Sequence, residues 1–356
     1  MKNKIWAIVT LLFLSFSVSV FAQPEAQAAE NVGTTTPLFQ SEEPLPIRMR
    51  YSNKNIKKET NDSTYLDQTI SYQTPDGQWA DLDLQMRARG NWRQENCFLT
   101  PVKFKIPKAQ RENTLFDGNK ELKMVLPCRN TDLGQDYVLK EIMAYKLYEV
   151  VSPYHFKTRR VAIDFTDVRG KKEKQYNLEG FIIEDISRVA KRCNAKRMKR
   201  NVHPQQQDDI CCTQNDFFQY LIGNTDYSVA YQHNEKLIFL EETNATVPVP
   251  YDFDMCGLVD ASYAVVSQVG DEVLPNTDVT QRVWRGFKRP PGVYEQVRQM
   301  YLSKESEFMA TVDGMKGSFR NEKEFEKARK YVQDFFEVLK DTGKFNRQIV
   351  SAARTK

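Results

Sequence analysis

The chain has 356 residues, with 51 Lys plus Arg against 47 Asp plus Glu and a formal net charge of +4. A composition that is 40% hydrophobic and 28% charged excludes wholesale disorder and a collagen-like chain. The charge is dispersed and near balance, so no nucleic-acid partner is expected, and three histidines (His155, His203, His233) leave little for His-rich metal sites.

Residues 1–22 read as a secretory signal peptide. Lys2 and Lys4 precede an apolar run from Ile5 to Val20, and Val20 and Ala22 supply the small residues of a cleavage site. The expected location is exported, periplasmic or secreted, with no stable membrane insertion after cleavage. Residues 23–45 are small, polar and Pro-containing, which predicts a flexible lead-in. All six cysteines follow, and an even count in an exported chain suggests disulfides. Cys97 with Cys128 is the first expectation, because each flanks a strand of one early sheet. Cys193 with Cys211 or Cys212 is the second. A zinc site from Cys193, His203, Cys211 and Cys212 is the alternative, without a CxxC pair to support it.

Residues 80–90 alternate, with Leu82, Leu84, Met86 and Ala88 on one face of a strand. Short strands follow at 102–106 and 123–126. Residues 136–151 change to helical period, with Leu139, Ile142, Met143, Leu147 and Val150 on one face and Asp136 as the N-cap. Strands return at 158–165 and 176–184, turning at Arg169-Gly170. Residues 188–209 are basic and polar and read as a solvated excursion. A helix is predicted at 215–222, and strands at 237–240 and 247–249 flank a turn at Thr243-Asn244. Phe325, Ala328, Val332, Phe335, Phe336 and Leu339 define a last helix, with Gly343 as its stop. Trp284, Arg285, Phe287 and Arg289 form an aromatic-basic cluster read as packing. The order predicts a two-lobed α+β protein, with a strand-rich lobe at 46–186 and a mainly helical lobe at 187–356.

Two segments carry carboxylates in loops beside apolar elements: Gly223-Asn-Thr-Asp226, running on to His233-Asn234, and Pro250-Tyr-Asp-Phe-Asp254. Asp252 and Asp254 lie two apart on extended chain, so both can face one side while Phe253 turns inward. Hard oxygen ligands of this kind suit Mg²⁺ or Mn²⁺. Asp226 follows a helix and a turn, where a general base can sit, and Asn234 offers a neutral oxygen. Helix, Asp loop, Asn, strand, turn, strand and DFD is the order of the catalytic and metal loops of protein kinases.

The chain resembles the CotH-type spore-coat protein kinases, an atypical family with a reduced N-lobe. The matching pieces run in family order: Arg87-Ala-Arg-Gly-Asn91, Val102-Lys-Phe-Lys-Ile106, the helix from Leu139 to Leu147, the strand Leu178–Glu184, then the two carboxylate loops. The resemblance covers about residues 80–265. It implies a two-lobed kinase-like fold and Mg-ATP-dependent phosphorylation of Ser or Thr on exported proteins. Asp226 takes the catalytic position, and Asp252, Asp254 and Asn234 take the metal positions. Lys103 or Lys105 would meet phosphate, Arg89 sits at the family's Arg-Gly turn, and Phe181, Ile183 and Glu184 lie on the strand that meets adenine. Glu141 is placed to pair with such a lysine. The chain departs from the family pattern in having Tyr227-Ser228 after the catalytic Asp, and a longer gap to Asn234. Two further readings stand beside this one: a catalytically silent envelope-binding module, and a glycosyltransferase using Asp252-Phe253-Asp254 as its DxD.

Overall fold

The computed structural model describes residues 33–266 and 274–355; the predicted signal peptide and residues 23–32 of the predicted lead-in lie outside the described residues. A short 3₁₀ turn at Pro37–Phe39 already buries Leu38 and Phe39. Strand β1 (Leu45–Tyr51) leads into helix α1 (Asn53–Glu59), which starts where Ser52 accepts a hydrogen bond from the Asn55 amide. Then come β2 (Leu66–Gln73), β3 (Trp79–Ala88), α2 (Asn91–Asn96), β4 (Val102–Lys105), α3 (Lys108–Arg111), β5 (Glu121–Val125), α4 (Asp132–Val151), β6 (Thr158–Arg169) and β7 (Lys172–Ile183). After these follow α5 (Ile186–Arg192), β8 (Ala195–Met198), α6 (Asp209–Ile222), β9 (Glu235–Leu240) and β10 (Ala245–Pro250). The chain ends with α7 (Pro291–Ser303), α8 (Glu305–Asp313), α9 (Glu322–Lys340) and α10 (Thr342–Phe345).

Seven strands close into a barrel in the order β1-β2-β3-β4-β5-β7-β6. Every neighbouring pair is antiparallel except the closing one, where β1 runs parallel to β6 from Leu45 opposite Val161 to Tyr51 opposite Asp167. This overturns the expected two-lobed kinase-like fold with a small strand-rich N-lobe and a mainly helical C-lobe. The physical reason is the pair of strands β1 and β2, which the sequence reading missed. They complete the hydrogen bonding of an otherwise open edge, and closure removes that edge.

Alternation does the sorting. Met86, Ala88, Val102, Phe104, Leu122, Met124 and Ile182 point into the barrel, where they form one core with Ile47, Ile163 and Phe165. The opposite faces of β5 and β7 put Val125, Phe181 and Ile183 into a second core with the helices. α4 packs between that outer barrel face and α6 and α8, so it is buried almost all round. Its N-cap is Thr131, not Asp136. Asp136 lies inside the helix and accepts the amides of Arg320 and Asn321 ahead of α9.

The 188–209 segment is not simply a solvated excursion: α5 and β8 occupy part of it, Val189, Ala190 and Arg192 are buried, and β8 edges a small sheet in the order β10-β9-β8. Gly343 lies inside α10 rather than stopping the last long helix, which ends at the Asp341 cap. Cys97 and Cys128 form a disulfide, which is compatible with an exported protein. Cys193, Cys211, Cys212 and Cys256 are free thiols, so the second expected bridge is absent; Cys193 Sγ instead meets the Pro153 carbonyl at 3.7 Å. No helix among the described residues is long and apolar enough to cross a membrane.

Candidate functional site

α6 ends at Gly223, whose left-handed φ of +62° suits glycine, and a Cβ there would collide with the Tyr331 hydroxyl. Asn224 then makes an Asx turn, its Oδ1 accepting the Asp226 amide at 2.9 Å. The Asn224 side chain is itself held by Gln219 at 2.8 Å. Arg285 secures the same loop from behind, donating to the carbonyls of Thr225 at 2.5 Å and Tyr227 at 2.8 Å. Asp226 is therefore fixed on both flanks.

The eight-residue gap from Asp226 to Asn234 is closed by a two-way backbone bridge between Ser228 and His233, each bond 3.0 Å. The bridge brings Asn234 Nδ2 to 2.9 Å from Asp226 Oδ2 and His233 Nε2 to 3.1 Å from Asp226 Oδ1. The Asp226 hydrogen bond raises the His233 pKa above its ordinary value, against partial burial, and the charges of Asp226 and Asp252 add to it.

Asp252 stands on β10's exit with φ +67°, and Asn234 at φ +50°. Non-glycine residues in the left-handed region are uncommon, and such strain gathers at functional sites. The Tyr145 hydroxyl accepts the Asp252 amide at 2.9 Å, and the Tyr145 ring packs on Phe253 at 4.6 Å. Phe253 turns inward, as expected, and Asp252 is left at the partly exposed rim. Its Oδ2 lies 3.3 Å from Arg89 Nη2. The two loops are stapled together: the Gly257 amide donates to the Gly223 carbonyl at 3.1 Å, and Leu258 to Ile222 at 2.9 Å.

Asp254 faces elsewhere. It is buried against Arg93 at 2.6 Å, and Arg93 also reaches Glu141 at 3.2 Å. Burial raises the Glu141 pKa to about 8 against the pull of Arg93, and burial raises Asp254 as well. Glu141 thus pairs with an arginine from α2, not with Lys103 or Lys105. Lys103 is held by Glu121 at 2.6 Å, and Lys105 sits over the Tyr65 ring at 3.9 Å.

The cation that reaches the site is Lys123 of β5. It lies 4.3 Å from the Tyr251 ring, and Lys236 lies 5.1 Å from the same ring. Burial lowers the Lys123 pKa to about 7, with Arg89 and Lys236 lowering it and Asp252 opposing. In the sequence Lys123 heads the apolar run 123–126; in the structure it lies mid-strand in β5, directly opposite Lys103. Phe181 is core, packed on Tyr145 at 5.5 Å, Ile183 pairs with Lys123 across the strands, and Glu184 is in a buried ion pair with Arg192 at 3.0 Å.

Asp226, Asn234, Asp252 and Arg89 are thus gathered at one place. Asp254, Glu184, Lys103 and Lys105 have other partners. Among the described residues no group of three or more His, Cys, Asp or Glu side chains is placed to hold a metal ion, which also leaves the zinc alternative without a site. The gathered set is two carboxylates, an amide and one guanidinium, with Lys123 and Lys236 close by over the Tyr251 ring. That pattern suits a phosphate-bearing ligand with a hard cation. No family model and no curated protein matches the chain.

Proposed function

We propose that the chain is an exported, periplasmic or secreted, member of the CotH-type kinase family that transfers the γ-phosphoryl group of ATP, with Mg²⁺ or Mn²⁺, to Ser or Thr hydroxyls of envelope or secreted proteins. The observation that carries the reading is the convergence of Asp226, Asn234 and Asp252, with Arg89, Lys123 and Lys236 beside them. Phosphoryl transfer is mainly positioning and charge stabilisation, so a small set of fixed groups is enough.

The donor set fits a divalent cation. Mg²⁺ is commonly held by one or two carboxylates, with phosphate and water completing its shell. Asp252 supplies the carboxylate, and Asn234 keeps its Oδ1 free of hydrogen bonds among the described residues while its Nδ2 serves Asp226. The bound cation would neutralise phosphate charge. Arg89, Lys123 and Lys236 would hold the phosphate oxygens. Asp226 would orient the acceptor hydroxyl and take its proton as the new P–O bond forms and ADP leaves. Asp254, paired with Arg93, positions the DFD loop. That burial also removes the second outward carboxylate a DxD glycosyltransferase would use.

The test is a melting curve with ATP, with Mg²⁺ or Mn²⁺, and with both, alongside transfer from γ-labelled ATP to a hydroxyl-bearing protein. A metal-dependent ATP shift and transfer that Asp252→Asn abolishes support the proposal. No shift at millimolar ATP in a cooperatively melting protein overturns it. One observation favours the second reading, a silent binding module: both Asp226 oxygens are already bonded, to His233 and Asn234. That reading expects a shift without transfer, unchanged in Asp226→Ala.

A further inference from the structure

A cleft of about 890 Å³ opens between α1, the end of α2 and the β6–β7 turn, and it shares no residue with the carboxylate loops. Its cations come from two places. Lys54, Lys57 and Lys58 lie at helical spacing on one face of α1, while Asn53 and Ile56 on the other face are buried. Arg169 comes from the β6 end of the turn.

The one acidic side chain in the lining is already neutralised. Asp167 is bound by Arg169 at 2.6 Å and accepts the Asn53 amide at 3.0 Å. Lys54, Lys57 and Lys58 have no carboxylate within ion-pair distance among the described residues. Lys57 is oriented by donating to the Cys97 carbonyl at 2.9 Å, at the disulfide. Lys171 and Lys172, exposed on the adjoining turn, extend the basic rim. Phe98 and Cys97 give the cleft an apolar portion, and Gln94 and Asn55 add amide side chains.

We propose that this cleft binds an extended acidic peptide segment, with Lys54, Lys57 and Lys58 pairing its carboxylates and Phe98 meeting an apolar side chain between them. The volume is far larger than a single small anion needs. Uncompensated cations on a concave surface raise the local concentration of an acidic partner. A lipid surface is disfavoured, because no exposed large apolar side chain lies in the cleft; those among the described residues are Trp79, Trp92, Leu133, Tyr231 and Val265. A nucleic acid is disfavoured, because stacking needs successive free rings and Phe98 already packs on Tyr176 at 5.3 Å. The inference does not depend on phosphoryl transfer, since none of these residues touches the proposed active site.

The experiment is fluorescence anisotropy with a labelled hexapeptide of Glu and Leu, its Gln-for-Glu counterpart, a single-stranded oligonucleotide and phosphatidylserine vesicles. The full chain should bind the Glu peptide saturably, more weakly at high salt, and bind the Gln peptide about tenfold more weakly or worse. Lys54→Glu with Lys57→Glu and Lys58→Glu should weaken binding by about tenfold or more, while reversing Lys323, Lys330 and Lys344 should not. Lys54→Ala with Lys58→Ala, both exposed and leaving Lys57 in place, keeps the test valid if the triple variant misfolds, and should also weaken binding. No saturable binding, equal loss in the control reversal, unchanged binding in the double variant, or tighter binding of the oligonucleotide or vesicles overturns the proposal.

Discussion

Arg93 of α2 lies 2.6 Å from Asp254, 161 residues later in the chain, and this buried pair joins the segment after the barrel strand β3 to the DFD loop. Glu141 completes the cluster at 3.2 Å. Removing the guanidinium leaves two buried carboxylates facing each other. Arg93→Ala should cost about 3 to 5 kcal/mol in a denaturant titration. Arg93→Gln with Glu141→Gln should recover part of that loss, because one carboxylate is removed with the cation.

Asp226 and Asp252 sit at the partly exposed rim, so their loss should show in chemistry and not in folding. Asp226→Asn and Asp252→Asn should each lower phosphoryl transfer by about a thousandfold or more, equivalent to about 4 kcal/mol. Their melting temperatures without ligand should stay close to the parent's. Normal transfer by Asp226→Asn would remove it from the base role.

Arg285 holds the carbonyls on either side of Asp226. Arg285→Ala should lower kcat with a smaller change in the KM for ATP. Both bonds leave the same Nη1, so Arg285→Lys keeps a donor but on a shorter, non-planar head, and should recover only part of the rate. An equal loss of kcat and of stability would mark Arg285 as purely structural.

His155 is buried, with Nδ1–H donating to the Ser152 carbonyl at 2.5 Å. Burial lowers its pKa to about 4, with Arg192 and Lys157 lowering it further and Glu149 opposing. The unfolded chain then binds a proton at higher pH than the folded one. Stability should be at its full value above the ordinary His pKa and fall as pH drops from about 6.5 towards 4, by at most about 3 kcal/mol. His155→Gln should flatten that limb of a pH–stability curve.

The Cys97–Cys128 bridge closes a loop with a sequence separation of 31. By loop entropy its removal should cost about 2 to 4 kcal/mol. Cys97→Ser with Cys128→Ser, or reduction of the parent, should both lower the denaturant midpoint. Reduction should lower the midpoint of Cys193→Ser by the same amount as it does the parent's, since that thiol is unbridged.

Much of the chain was legible where a local period reports a local environment. The alternation at Leu82, Leu84 and Met86 became an inward barrel face, and the spacing of Phe325, Val332 and Phe336 became a buried helix face. The adjacency of a helix, Asp226, Asn234 and a strand pair before Asp252 placed those residues together, because short connections keep consecutive elements close. Phe253 does turn inward, but not on a strand: β10 ends at Pro250, Asp252 has a φ of +67°, and Asp254 does not share its face.

What the tertiary structure decided was everything that depends on a partner distant in sequence. β1 carries polar residues at Arg48 and Arg50 and reads weakly as a strand, yet its parallel pairing with β6 closes the barrel and excludes the two-lobed arrangement. Asp252 and Asp254 look equivalent in sequence. Arg93, from far upstream, takes Asp254 into the interior and leaves Asp252 at the rim. Lys103 and Lys123 are likewise both strand lysines, and only neighbouring strands decide that Glu121 occupies the first while the second reaches Tyr251. Local patterns fix which way a side chain points; the free energy of burying or pairing it is set by what the fold brings opposite.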